Sequence, residues 1–130
     1  MNTIPTVLIV EDEFAIAELL EMVLVDEGYR VLTASNGLQG LARLAEVPRP
    51  DLIISDFMMP GLDGPGLIAA VRERVGEPEI PCIVMSSMPE ENVRELIQGY
   101  AAFVRKPFLL AAVVALVGSL IGPAVNGSTG

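Results

Sequence analysis

Residues 6–28 read TVLIVEDEFAIAELLEMVLVDEG, a short apolar run that passes through acidic residues into a longer amphipathic segment. A nearly continuous apolar run is typical of a strand that is buried on both faces. Residues 13–26 then show helical spacing, and Gly28 marks the helix end. The side of this helix that is expected to be buried carries Ile16, Leu19, Leu20, Val23 and Leu24. The stretch therefore predicts a strand joined to a helix, the repeating unit of a parallel sheet.

The same alternation continues along the chain. Further strands are predicted at residues 30–34, 51–55, 82–86 and 101–105, and further helices at residues 38–46, 65–75, 90–98 and 108–121. Five strands alternating with five helices predict an α/β fold with helices on both faces of a five-stranded parallel sheet. We expect a flavodoxin-like, doubly wound (βα)5 domain with strand order 2-1-3-4-5. The domain should span residues 1–122, and residues 123–130 should form a disordered tail.

The composition limits the classes of partner and the compartment. The chain has 130 residues, of which 52% are hydrophobic, and its net charge is −9. This acidic balance argues against binding to nucleic acid or to anionic lipid, because both require a basic surface. Cys82 is the single cysteine, so no internal disulfide can form, and the N-terminus lacks the pattern of a secretory signal. We therefore expect a cytoplasmic protein.

Charged side chains follow three of the predicted strands. Glu11 and Asp12 follow the first strand, and Asp56 follows the third. Lys106 follows the fifth strand, and Ser86 supplies a hydroxyl at the end of the fourth. Because ligands bind at the carboxyl ends of the strands in open parallel sheets, these groups should share one site. Three neighbouring carboxylates need a counter-ion, and Mg²⁺ prefers such oxygen ligands together with phosphate oxygens.

This arrangement is suited to phosphoryl transfer, because a carboxylate can act as the nucleophile. Asp56 is the predicted phosphoacceptor, since it stands alone at the end of a central strand. Asp12 should bind Mg²⁺ directly, and Glu11, which is longer, should act through a water molecule. The backbone carbonyl of Met58 would complete the metal ligands.

Four segments resemble the receiver domain of response regulators in two-component signalling. They are residues 8–13 (LIVEDE), 56–64 (DFMMPGLDG), 83–86 (IVMS) and 106–108 (KPF). Each lies at its expected strand end, and together they extend the resemblance over residues 6–121.

The resemblance implies transfer to Asp56 from the phosphohistidine of a histidine kinase or a histidine phosphotransfer protein, or from a small acyl phosphate. It also implies that the Ser86 hydroxyl moves toward the phosphoryl group and that the Phe103 ring turns inward. The expected output is a contact between a downstream protein target and the fourth helix, fifth strand and fifth helix. Neither nucleic acid nor a membrane is an expected partner.

Several positions depart from the usual receiver pattern. Ser86 stands where threonine is more common, and Ser87 stands where a smaller residue is usual, which would narrow access to Asp56. Met58 and Met88 lie where the family tunes dephosphorylation. Because both side chains are apolar, we expect them to shield the acyl phosphate from water and to make it long-lived.

The last predicted helix lies in a stretch, residues 108–125, that carries no charge. This length just reaches that of a membrane-spanning helix, but Gly118, Pro123 and the lack of flanking basic residues favour an ordinary helix. Its large side chains should face the sheet; they are Leu109, Leu110, Val113, Val114, Leu116, Val117, Leu120 and Ile121. Ala111, Ala115 and Gly118 line the other side, which predicts a homodimer contact, with a surface of no function as the alternative.

Three classes of function remain. The favoured one is a stand-alone receiver with no DNA-binding segment after residue 121; it promotes its own phosphorylation and dephosphorylation without being a turnover enzyme. A phosphoaspartate hydrolase would need a second acid where Met58 stands. A degenerate receiver, acting as an interaction or dimerisation module without phosphorylation, would be expected to lack Asp56, Asp12 or Lys106, and all three are present.

Overall fold

A computed structural model describes residues 4–44, 49–58, 66–67, 69–70, 80–97 and 99–123. Within them the strands are β1 Thr6–Val10, β2 Arg30–Ala34, β3 Leu52–Asp56, β4 Cys82–Ser86 and β5 Ala102–Arg105. The helices are α1 Phe14–Asp26, α2 Gly37–Leu44, α3 Glu90–Leu96 and α4 Leu110–Ile121. Of the helix predicted at residues 65–75, only Gly66, Leu67, Ala69 and Ala70 are described, and they are helical. The predicted loop at residues 59–64 and the tail beyond residue 123 lie outside the described residues.

The five strands form one parallel sheet in the order β2-β1-β3-β4-β5, which confirms the predicted topology. Every residue of β1, β3 and β4 is buried. Such central strands are covered on both faces, which is why their sequences are almost continuously apolar. Because β1 and β3 are neighbours, the residues that follow them meet at one edge of the sheet.

Two hydrophobic clusters cover the two faces of the sheet. Alternate side chains of a strand point to opposite faces, so Val7 and Ile9 join one cluster while Leu8 and Val10 join the other. The first cluster lies against α1 and α4, which contribute Leu20, Leu24, Val113 and Val117. The second cluster contains Leu41 of α2, Val93 of α3 and also Leu67, which precedes β4 in the chain. This two-layer burial fixes the register of each strand, because a one-residue slip would exchange the faces.

Two expectations about buried helix residues are wrong. Leu19 is 49% exposed, because Ala17, Leu20 and Leu24 are the α1 residues that face the sheet. Leu109 precedes α4 and is 76% exposed, since its extended backbone turns it away from the helix face that carries Val113. The helix itself presents its small side as predicted, because Ala111, Ala112, Ala115 and Ser119 are exposed.

The end of α4 is hydrogen-bonded to the segment between α1 and β2. Gly122 caps α4 in the left-handed region with φ 83°, and its carbonyl accepts a hydrogen bond of 2.8 Å from the Tyr29 hydroxyl. Tyr29 is itself buried in the first cluster. None of the helices among the described residues is long and apolar enough to cross a membrane.

Candidate functional site

Backbone hydrogen bonds extend three strands by one residue and so place the groups of the site. The Glu11 amide donates to the Ala34 carbonyl (3.0 Å), and the Lys106 amide donates to the Ser86 carbonyl (2.8 Å). The Phe57 amide donates to the Met85 carbonyl (2.8 Å), which fixes the chain directly after Asp56. Residues from β1, β3 and β5 therefore converge at the carboxyl edge of the sheet, as the sequence predicts.

Three carboxylates meet at this edge. Glu11, Asp12 and Asp56 each offer an oxygen atom, and these atoms all lie within 4.8 Å of one another. Glu11 and Asp56 are buried, whereas Asp12 is exposed. Three carboxylates balanced by one lysine leave an excess of negative charge among hard oxygen donors, and this donor set fits a small divalent cation such as Mg²⁺.

Lys106 lies among these carboxylates. Its Nζ is 2.9 Å from Glu11 Oε1, 3.3 Å from Asp56 Oδ1 and 3.8 Å from Glu13 Oε1. The side chain is only 14% exposed, and the Lys106–Pro107 peptide bond is cis. The ammonium therefore has two buried carboxylate partners and one exposed partner.

Burial shifts the ionisation of the two buried acids. Desolvation raises the pKa of Glu11 above its usual value, although the Glu13 amide and Lys106 partly oppose it. Desolvation also raises the pKa of Asp56, and Asp12 adds to this while Lys106 opposes it. Burial alone would lower the pKa of Lys106, but its hydrogen bond to Glu11 and the nearby carboxylates raise it. The site thus holds negative charge that a bound cation would stabilise.

A cleft of about 610 Å³ opens above Asp56. Its polar wall includes Asp12, Ser86 and Ser87, and its apolar wall includes Ile16, Leu19, Phe108 and Leu110. Met58 lines this cleft and is 64% exposed. Asp56 is thus one of the polar residues that line an open cleft.

The Ser86 hydroxyl has a hydrogen-bond partner two residues later in the chain. It is buried, and its Oγ accepts a hydrogen bond of 3.0 Å from the Met88 amide, which leaves the hydroxyl proton able to point elsewhere. Met88 itself is half-buried and packs against the second hydrophobic cluster. Met88 is not among the described residues that line the cleft, so of these two methionines it is Met58 that faces the site.

Phe103 belongs to the surroundings of the second hydrophobic cluster. Its half-buried ring packs against the second cluster and lies 6.5 Å, between centroids, from the Tyr100 ring. The Tyr100 hydroxyl donates to Glu90 Oε2 (2.9 Å) at the start of α3. The predicted switch residue therefore contacts a residue that is joined to α3.

The structure brings together Glu11, Asp12, Asp56, Met58, Ser86 and Lys106 at the predicted edge. Sequence reasoning missed two features of this site: the direct pairing of Glu11 with Lys106, and the position of Glu13 beside the same ammonium. The sequence does contain a signal for the second feature. Glu13 continues the acidic run that begins with Glu11 and Asp12, so it could have been expected near the same lysine.

Comparisons with known sequences place the chain in one protein family. The family model for the response regulator receiver domain matches residues 7–118. The phosphate regulon transcriptional regulatory protein PhoB of Rhizobium meliloti is 36% identical over 120 residues, which cover 91% of this chain and 52% of PhoB. The transcriptional regulatory protein PrrA of Mycobacterium tuberculosis is 37% identical over 121 residues, covering 92% of this chain and 51% of PrrA. The chain thus spans about half the length of these curated relatives.

Solved structures show the same fold. The chemotaxis response regulator CheY4 of Vibrio cholerae has a TM-score of 0.81 and 30% identity, covering 92% of this chain and all of CheY4. The response regulator TrrA of Thermotoga maritima, solved in complex with Mg²⁺–BeF, has a TM-score of 0.76 and 26% identity, covering 91% of this chain and 100% of TrrA.

Proposed function

The chain belongs to the response regulator receiver domain family, and from this we propose that it accepts a phosphoryl group on Asp56 in a Mg²⁺-dependent reaction. The donor is the phosphohistidine of a histidine kinase or of a histidine phosphotransfer protein. The observation that carries this proposal is the position of Asp56: it ends a central strand, it faces the cleft, and Lys106 Nζ lies 3.3 Å from its Oδ1.

The reaction is a displacement at phosphorus. An oxygen of the ionised Asp56 carboxylate forms the new O–P bond while the P–N bond to the donor histidine breaks. The bonding electron pair leaves with the imidazole nitrogen, which is then protonated. Lys106 stabilises charge on the transferring oxygens, and the Ser86 hydroxyl can donate a hydrogen bond to one of them.

A bound Mg²⁺ would neutralise charge on the phosphoryl oxygens and orient them for in-line attack. Asp12 and Asp56 would hold it directly, the Met58 carbonyl would add a ligand, and Glu11 would act through water. The exposed carboxylate of Asp12 supports this, because it accepts no hydrogen bond from the part of the chain that the structure describes. The structural neighbour TrrA was solved in complex with Mg²⁺–BeF, which supports Mg²⁺ as the cation of this site.

Phosphorylation acts as a switch in this proposal rather than as a step of a turnover enzyme. The Ser86 hydroxyl moves toward the phosphoryl group, and the Phe103 ring turns inward. These movements change the surface formed by α3, β5 and α4, which correspond to the predicted fourth helix, fifth strand and fifth helix. A downstream protein reads this face in the cytoplasm, and no nucleic acid or membrane is needed for recognition. The curated relatives are named transcriptional regulatory proteins, and this chain spans about half of their length.

Intact-mass measurement tests the proposal. The protein is incubated with acetyl phosphate, with and without Mg²⁺, beside the Asp56→Asn variant. We expect the mass of one phosphoryl group to be gained only by the native protein and only with Mg²⁺.

Further donors separate the alternatives. If acetyl phosphate fails, phosphorylated histidine kinases and a histidine phosphotransfer protein are used in the same assay. No gain from any donor, with Mg²⁺ still bound, would favour a degenerate receiver that acts as an interaction or dimerisation module. Release of phosphate from a generic ester over many turnovers would instead favour a hydrolase.

A further inference from the structure

A polar contact joins the start of α3 to the segment that leads into β5. The Tyr100 hydroxyl donates a hydrogen bond of 2.9 Å to Glu90 Oε2. The same carboxylate oxygen lies 3.5 Å from Arg94 Nη2, one turn farther along α3. A hydrogen bond with Tyr100 and the charge of Glu90 raise the pKa of Arg94, so the three side chains form one small network.

One end of this network lies close in the chain to Ser86. Glu90 is the first residue of α3, and Ser86 is the last residue of β4, so only residues 87–89 connect the two elements. Within this connection the Met88 amide donates a hydrogen bond of 3.0 Å to Ser86 Oγ. A movement of the Ser86 hydroxyl that breaks this bond therefore releases the segment that positions Glu90.

The other end of the network is in contact with Phe103. The rings of Tyr100 and Phe103 lie 6.5 Å apart between centroids and are tilted by 54°. Both rings, together with the side chain of Met88, pack against the second hydrophobic cluster. A turn of the Phe103 ring must therefore either break its contact with Tyr100 or draw Tyr100 away from Glu90.

We infer that the hydrogen bond between Tyr100 and Glu90 is a latch that holds the unphosphorylated conformation, because it ties the ring beside Phe103 to the helix that follows Ser86. This inference rests on the proposed function, in which the Ser86 hydroxyl and the Phe103 ring both move. The bond is partly buried and has a charged acceptor, which makes it stronger than a contact between neutral groups. The Glu90 side chain is 41% exposed, so water can replace Tyr100 when the latch opens.

The latch should weaken the binding of any ligand that selects the open conformation. The apparent affinity of such a ligand is reduced by the fraction of molecules that are already open. Removal of one hydrogen bond should raise a small open fraction by about 3- to 10-fold. The apparent Kd of the ligand should fall by the same factor.

The first test uses the metal-free protein and no phosphoryl donor. Relaxation dispersion of the Phe103 ring carbons detects a minor conformation that exchanges in microseconds to milliseconds. We expect its population to rise about 3- to 10-fold in Glu90→Ala. Glu91→Ala is the matched control, because it also removes a carboxylate from the first turn of α3 but leaves the latch intact, and it should not change this population.

The second test is the binding of beryllium fluoride, a stand-in for the phosphoryl group, at saturating Mg²⁺. We expect Tyr100→Phe, which keeps the ring and loses the hydroxyl, to lower the apparent Kd by about 3- to 10-fold. Tyr29→Phe is the control: it also deletes a hydroxyl that donates a hydrogen bond, to the Gly122 carbonyl, but Tyr29 belongs to the first hydrophobic cluster. Urea unfolding of both variants measures the accompanying loss of stability.

The outcomes separate a latch from an ordinary structural hydrogen bond. Tighter binding by Tyr100→Phe but not by Tyr29→Phe supports the inference. Binding that is unchanged or weaker in Tyr100→Phe, with lower stability, would overturn it, and so would a minor conformation that is absent or unchanged in Glu90→Ala. If Glu90→Ala does not fold, the dispersion measurement is made on Tyr100→Phe.

The same measurements distinguish failure of the latch from failure of the proposed function. If the native protein binds no beryllium fluoride and accepts no phosphoryl group from any donor, the proposed function fails. The exchange of the Phe103 ring in the ligand-free protein then still decides whether the Tyr100–Glu90 bond restrains that ring.

Discussion

Met58 and Met88 occupy different environments, although the sequence predicts that both lie near the proposed phosphorylation site. Met58 lines the cleft beside Asp56 and is largely exposed, while Met88 packs against the second hydrophobic cluster. Of the two, only Met58 can cover a phosphoryl group on Asp56 from within the cleft. The expectation that both side chains shield the acyl phosphate therefore narrows to one of them.

We predict that Met58→Asn shortens the lifetime of phosphorylated Asp56. An amide can hydrogen-bond a water molecule near the acyl phosphate, whereas a thioether is only a weak acceptor. The measurement is the decay of radiolabelled phosphoprotein after the donor is removed.

Met88→Asn is the comparison variant for this experiment. It should lower the free energy of unfolding, because it places an amide against apolar side chains, and change the decay rate less than Met58→Asn does. A decay rate that is unchanged in Met58→Asn, or a larger change in Met88→Asn, would contradict the assignment.

The contacts of Lys106 could be predicted from the sequence only in part. The order of charges along the chain placed Glu11, Asp56 and Lys106 at one edge, because parallel strands bring their carboxyl ends together. The charge order did not predict which carboxylate lies closer to the Lys106 ammonium. That choice depends on distances of 2.9 Å and 3.3 Å and on the burial of Glu11, which strand patterns do not encode.

At the scale of elements, two helical glycines offer opposite tests of how closely helices approach their neighbours. A Cβ at Gly40 of α2 would lie 3.0 Å from Val10 Cγ2, and Val10 is fully buried in the second cluster. Among the described residues, a Cβ at Gly118 of α4 would meet only the Tyr29 hydroxyl, at 4.0 Å. A methyl group at the first position would require Val10 to shift, whereas the second position has space for one.

We predict that Gly40→Ala destabilises the protein. Overpacking usually costs about 1–3 kcal/mol, and the better helix propensity of alanine offsets up to about 1 kcal/mol of this cost. Gly118→Ala should instead stabilise it by about 0.5–1 kcal/mol, since alanine restricts the unfolded chain and fits the helix. Urea unfolding followed by circular dichroism measures both. Stabilisation by Gly40→Ala would show that α2 lies farther from β1 than the structure has it.

Element boundaries were predictable where burial is continuous. The bounds of β1, β2 and β4 agree with the prediction, because apolar runs flanked by turn or charged residues define them. Helix ends were less predictable: α4 starts at Leu110, since an extended Leu109 precedes it, and not at Phe108. The predicted homodimer through Ala111, Ala115 and Gly118 stays a prediction.

For the whole molecule, the raised pKa values of Glu11 and Asp56 link stability to pH. An acid whose pKa is higher in the folded state than in the unfolded state favours folding below its unfolded pKa, and this contribution is lost as pH rises through the folded pKa. Both shifts have this sign, with burial as the main cause. The net charge of −9 acts in the same direction, because protonation reduces self-repulsion.

We therefore predict that the melting temperature of the metal-free protein falls as pH rises from about 4 to about 7, since unfolded acids titrate near 4. Adding Mg²⁺ at neutral pH should raise the melting temperature and flatten this slope, because ligands that bind the folded state stabilise it. Calorimetric scans across this range, with chelator or with Mg²⁺, provide the measurement.

Asp56→Asn is the control for this effect. Without metal it should be more stable than the native protein at neutral pH, because a buried carboxylate whose ionisation opposes folding is replaced by a neutral amide. A variant that is less stable than the native protein under these conditions would show that ionised Asp56 supports the fold through Lys106.

The convergence of β1, β3 and β5 has a kinetic consequence for the whole chain. The Lys106–Glu11 hydrogen bond joins residues separated by 95 positions, and the Asp56 strand lies between theirs in the sheet. Contacts of such long sequence separation form late, since the intervening loops have to close first. A chain that ends before β5 lacks Lys106, so a complete site at this edge would indicate that β1, β3, β4 and β5 have assembled.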